Sequence, residues 1–138
     1  MQIPYKHLLE KVVADDPRYP IEAYQFVFSA VGIIAEERLN RIKDKRRKNI
    51  SALQLLNGMK KILLNTYGCM AINVLDNWNV FATDDFGNIV YNLVAVKMLS
   101  VSPNDRPEDF HDRFSFQTAF VNPFKGNKRT KKMPVISC

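Results

Sequence analysis

Between Thr83 and Val94 the residues Phe86, Ile89, Val90, Leu93 and Val94 recur at three- and four-residue spacing, and this pattern constrains the fold more than any other. It puts five apolar side chains on one face of a helix. Thr83 is the expected N-cap, with Asp84 and Asp85 in the first turn, where the positive end of the helix dipole favours carboxylates. Such a face has to be buried against other elements.

Partners for it lie upstream. Tyr5, Leu8, Leu9, Val12 and Val13 mark a short helix that Pro17 ends, and Pro20 suits the first turn of a second helix with Glu22 near its positive end. Along that helix Ala23, Tyr24, Val27, Ala30, Val31, Ile34 and Leu39 form a wide apolar stripe that runs out in a basic segment. Ser51 followed by Gln54 has the capping-box spacing and opens a third helix, with Leu55, Leu56, Met59, Ile62 and Leu63 inward and Gly68 closing it. A short fourth helix carries Ala71, Val74, Leu75 and Trp78.

After Lys97 the pattern changes to a short apolar run, Met98 to Val101, then a polar stretch with Pro103 and Pro107, then Phe114, Ser115 and Phe116. Two short strands joined by a long loop fit this order best. The expected fold is therefore mainly α. Its C-terminal half is winged-helix-like over 51–120, three helices plus a short β-hairpin, within one domain of 1–124 followed by a basic extension, 125–138.

The net charge of +6 is unevenly placed. Arg41, Lys43, Lys45, Arg46, Arg47 and Lys48 stand against Asp44 alone, a net +5, and Lys125, Lys128, Arg129, Lys131 and Lys132 give another +5. The rest is net acidic, so only these two segments offer a dense field to a polyanion, and they are the candidate nucleic-acid-binding residues.

No chemistry competes with that reading. His7 and His111 have no ligand spacing around them, the glycines are isolated, and Asp105, Glu108, Asp109 and Asp112 lack the glycine and alternating ligands of a calcium loop. Asp84 and Asp85 are explained by capping, and the aromatic group Trp78, Phe81 and Phe86 by core packing. Cys69 and Cys138 form no disulfide framework or zinc spacing and read as ordinary thiols. No catalytic residue, metal or cofactor is expected. The N-terminus carries no secretion signal and no apolar run approaches a membrane span, which points to the cytoplasm.

Several motifs together resemble a conserved bacterial family of small proteins with no assigned activity: Tyr19, Pro20, Glu22, Ala23, Tyr24, Phe26 and Val27; Leu55, Leu56 and Gly58; Tyr67 and Gly68. The likeness continues through Trp78, Thr83, Asp85, Phe86, Gly87, Ile89, Val90, Asn92 and Leu93 to Asp109, Phe110, Phe114, Phe116 and Phe120. It covers roughly Leu8 to Phe124. The chain departs from it at Asn49, where a histidine often stands, at Asn88 in place of an acid, and at Lys97 in place of a glycine. What the resemblance implies is a fold, with no catalytic residue attached.

The expected function is a non-enzymatic accessory protein of a large assembly. Its body docks on protein while the basic arms grip structured RNA, as in a ribosome-like ribonucleoprotein. The alternative is a protein–protein adaptor without nucleic acid. A winged-helix DNA-binding regulator ranks third, because Asp84 and Asp85 at the start of the candidate recognition helix would face phosphates of like charge. Neither a membrane nor a small-molecule substrate is indicated.

Overall fold

The computed structural model describes residues 6–41 and 50–125. Five helices carry the architecture: α1 (Lys6–Asp15), α2 (Ile21–Arg41), α3 (Ala52–Tyr67), α4 (Ala71–Asn77) and α5 (Thr83–Ala95). Helical turns at Gly68–Met70, Pro107–Phe110, Gln117–Val121 and Asn122–Phe124 complete it.

α5 packs against α2 and the Pro107–Phe110 turn, while α2 also packs on α1 and α3. Phe86, Ile89, Val90 and Leu93 are buried as the spacing requires, together with Ala23, Tyr24, Val27 and Ala30 of α2 and Leu55, Leu56, Met59 and Leu63 of α3. No helix among the described residues is long and apolar enough to cross a membrane.

The helix ends obey local chemistry. At α3 the Gln54 amide donates to Ser51 Oγ at 3.1 Å and the Ser51 amide donates to Gln54 Oε1 at 2.9 Å, the expected capping box. Gly68 closes the helix at φ +55°, ψ −131°, a conformation open in practice only to glycine. α4 and α5 both end in Schellman motifs. The Val80 amide reaches the Leu75 carbonyl and the Asn79 amide reaches Asp76; likewise Met98 reaches Leu93 and Lys97 reaches Val94. The left-handed positions are Asn79 (φ +61°), which tolerates it well, and Lys97 (φ +67°), which does not.

The expected β-hairpin does not form: the described residues contain no strand. After the Schellman turn the chain crosses back over α5, and the Pro107–Phe110 turn is seated so closely that a Cβ on Gly87 would lie 2.7 Å from Phe110 Cβ. Phe114 and Phe116 are members of an aromatic cluster rather than strand residues. Phe116 stacks on Phe120 at 5.2 Å and on Phe86 at 5.9 Å, and the four-residue step from Phe116 to Phe120 is a helical spacing. The described residues form a mainly α fold without the winged-helix wing.

Candidate functional site

The two cationic segments fall almost wholly outside the described residues. α2 ends at Arg41, and Lys43, Lys45, Arg46, Arg47 and Lys48 lie beyond the description; so do Lys128, Arg129, Lys131 and Lys132, whereas Lys125 follows the last helical turn and is exposed. The body thus presents the points from which both segments depart.

The N-terminal end of α5 is fully engaged within the protein. Asp85 accepts from the backbone amides of Phe81 (2.8 Å) and Ala82 (3.2 Å) through Oδ2, and from the Tyr19 hydroxyl at 2.6 Å through Oδ1. Capping is therefore done by Asp85, three residues after Ala82. Thr83, expected as the cap, is completely buried instead, its hydroxyl donating to the Phe110 carbonyl at 2.7 Å and accepting from the Arg113 amide at 3.0 Å. Asp84 does not cap: it accepts from His111 Nδ1 at 2.6 Å and from the Asp112 amide at 3.0 Å, clamping the loop after Phe110. The carboxylate raises the His111 pKa, and the imidazole together with the Asp112 amide lowers that of Asp84.

A second set of polar side chains ties α5 to the α1–α2 connection. Asn88 donates to the Tyr19 hydroxyl oxygen (3.1 Å), and Asn92 donates to Asp16 Oδ2 (2.7 Å) and to the Tyr24 hydroxyl oxygen (3.0 Å). Arg18 grips Asp16 with two nitrogens at 2.8 and 2.6 Å and holds its carboxyl far below the usual carboxylate range, with Asn92 assisting. Burial raises the pKa of both Tyr19 and Tyr24, so both phenols stay neutral donors at physiological pH. Asn79 adds a bond to the Arg18 carbonyl at 2.8 Å. The sequence contains a signal for this clasp: Asp85, Asn88 and Asn92 stand at i, i+3 and i+7, a polar stripe beside the apolar face of α5.

A cavity of about 280 Å³ lies where α2, α3 and α5 meet the 99–110 segment. Val31, Ala35, Leu55, Val90 and Leu99 supply apolar walls, and Tyr91, Ser102, Asp105, Arg106 and Asp109 supply polar ones. Tyr91 stacks edge-on to Phe110 at 6.3 Å, and its hydroxyl is buried without a hydrogen-bond partner among the described residues. A phenol in that state costs roughly 1–3 kcal/mol. Burial, followed by the field of Asp105, Asp109 and Glu108, raises its pKa. No local spacing in the sequence announces this site, because its walls come from four separate segments.

Cys69, expected as an ordinary thiol, is disulfide-bonded; Cys138 lies outside the described residues. Among the described residues no three His, Cys, Asp or Glu side chains converge as a metal site would require. No family model matches the chain, and neither the curated proteins nor the solved structures contain a significant match.

Proposed function

We propose that this chain is a non-enzymatic accessory protein whose helical body docks on protein and whose two cationic arms, 41–48 and 125–132, bind structured RNA in a large assembly. The observation that carries the proposal is the separation of charge: a net +5 in each arm against a net acidic remainder. Arms of this density release counterions from phosphate, the sequence-independent part of nucleic-acid affinity. The state of α5 supports the same division of labour. Its buried face and its engaged Asp84, Asp85, Asn88 and Asn92 argue against α5 as a major-groove reader, which supports assigning nucleic-acid contact to the arms.

Catalysis has no comparable support, since the carboxylates, phenols and histidine that lie close together in the body act as clamps between its elements. The residues behind the family resemblance, Tyr19, Tyr24, Gly87, Asn92 and Phe110 among them, build the core and the clasp, so the resemblance is best read as shared fold. A protein adaptor without nucleic acid is the second reading. It is favoured by Phe81, 61% exposed, and Phe124, 48% exposed beside the second arm, since aromatic side chains on a surface are frequent anchors for protein partners. Co-purification before and after nuclease treatment separates the two. The RNA reading expects nuclease to release the assembly partners; retention of every partner would support the adaptor instead.

A further inference from the structure

We propose that the open groove between α2 and the ends of α3 and α4 is the docking site of the chain's own C-terminal segment, 133–138, fastened there by a disulfide between Cys69 and Cys138. The proposal does not depend on the RNA reading, and its test contains no RNA.

Cys69 sits in the Gly68–Met70 turn that joins α3 to α4, and it is disulfide-bonded. The sequence holds one other cysteine, Cys138, its last residue. A disulfide needs its two Cα atoms within about 7 Å, so pairing with Cys138 starts the tail from the α3–α4 turn. Reach is sufficient: the residues after Lys125 extend up to about 45 Å, against a radius of gyration near 13 Å for a body of this length. Trp78 stands about 14 Å along the helical backbone from Cys69, and the residues before Cys138 back to Met133 cover about 17 Å when extended, enough to cross the groove.

The groove, of about 590 Å³, suits what the tail carries. Phe26 of α2, Tyr67 of α3, Val74 of α4 and Trp78 supply its apolar surface. The Trp78 ring lies 5.3 Å from that of Phe26 and 6.5 Å, edge-on, from that of Tyr67. Aromatic-lined grooves take extended, proline-containing segments, because proline reduces the entropy lost on docking. Met133, Pro134, Val135 and Ile136 form such a segment, four apolar residues in a row for which binding to a polyanion has no use. Glu22 is the one charged side chain among the described residues lining the groove, and Lys131 and Lys132 arrive just ahead of Met133 with the opposite sign. The chain's own tail is favoured over that of a second copy, because tethering gives it an effective concentration of the order of millimolar.

Closing the bond takes two electrons and two protons from the thiols of Cys69 and Cys138. A small-molecule disulfide of the glutathione class accepts them and leaves as two thiols; excess thiol runs the same exchange backward. The closed bond pins the arm 125–132 at both ends, and reduction leaves it attached at one.

The test begins with a non-reducing tryptic digest of the full chain, whose expected product is peptide 62–97 joined to peptide 133–138. Docking is read by NMR at the amides of Gln25, Phe26 and Val74 and at the indole of Trp78, the sole tryptophan. Removal of residues 133–138 should shift these signals. A synthetic 129–138 peptide carrying Cys138→Ser should restore them saturably, at about millimolar concentration. Ile136→Asp should give the shifts of the truncated chain with the disulfide still closed, which separates docking from fastening. All of these variants lie outside the helical body. The proposal is overturned by free thiols at both cysteines in the oxidised chain, by a disulfide-linked dimer in place of the 69–138 link, or by groove signals that truncation leaves unmoved.

Discussion

Replacing Gly87 by alanine adds one methyl group where α5 meets the Pro107–Phe110 turn. The new Cβ would stand 2.7 Å from Phe110 Cβ, 2.9 Å from Cγ and 3.1 Å from Cδ1, where carbon atoms normally rest at about 3.5–4.0 Å. Phe110 Cβ moves only with its backbone, and that backbone is tied to α5 by the bond between the Thr83 hydroxyl and the Phe110 carbonyl at 2.7 Å. Relief therefore requires the Pro107–Phe110 turn to retreat from the helix. Overpacking of this kind costs about 1–3 kcal/mol, and loss of the buried hydrogen bond about 1 more; the gain in helix propensity offsets about 1. The net expectation is a loss near 2 kcal/mol, a fall in Tm of about 7 °C for a chain of this length. Gly58→Ala is the control. There the Cβ would meet Ile34 Cδ1 at 2.6 Å and Cγ1 at 2.8 Å, the outer atoms of a half-buried side chain that can change rotamer. Its net effect should be within about 0.5 kcal/mol of zero once propensity is counted. Urea unfolding followed by circular dichroism reads both. A Gly87→Ala protein as stable as the parent, or a Gly58→Ala protein equally damaged, would refute the assignment of the Phe110 contact as the rigid one.

Lys97→Gly relieves a left-handed lysine at the α5 terminus and should stabilise by about 1 kcal/mol, seen as a higher urea midpoint with unchanged slope. Asp16→Ala removes the group shared by Arg18 and Asn92 and should cost about 2 kcal/mol, a figure discounted for the exposure of Arg18. Because the folded carboxyl titrates below its ordinary value, the Asp16 contribution is present above pH ~4 and disappears as the pH falls through the lowered pKa, so parent and variant should converge in strong acid. His111 behaves in the opposite sense: its folded pKa is raised, so its contribution is complete below the unfolded value and is lost as the pH rises through the folded one. An NMR titration should place it above the ordinary histidine value in the parent and return it there in Asp84→Asn.

The helices were legible because each has a strong local signal. The periodicity of Phe86 to Val94, the Ser51–Gln54 box and Gly68 describe interactions within a few residues of one another, and all three appear in the structure. The 98–116 region is not legible in this way because Met98 to Val101 and Phe114 to Phe116 have the composition of strands, yet the described residues offer no neighbouring edge to pair with them. What decides their conformation is tertiary: the Schellman turn at Lys97, the seat of Phe110 on Gly87, and the stacking of Phe116 on Phe86 and Phe120. Capping by Asp85 rather than Thr83 follows the same logic, since Thr83 is drawn into the core by the Phe110 carbonyl. Of the candidate sites, the cationic arms were visible as charge density, and the clasp was foreshadowed by Asp85, Asn88 and Asn92 on one helical face. The cavity at Tyr91 was not legible, because it exists only once four distant segments have met.

The division of labour between a protein-docking body and RNA-binding arms is tested most directly by the salt dependence of affinity for a structured RNA hairpin. The parent chain should show a steep fall of log K with log salt. Replacing Arg41, Lys43, Lys45, Arg46, Arg47 and Lys48 by glutamine, or Lys125, Lys128, Arg129, Lys131 and Lys132, should each flatten the slope, by about 0.7–0.9 for every phosphate contact removed. A shallow slope that neither set of substitutions alters would contradict the assignment of RNA binding to the arms.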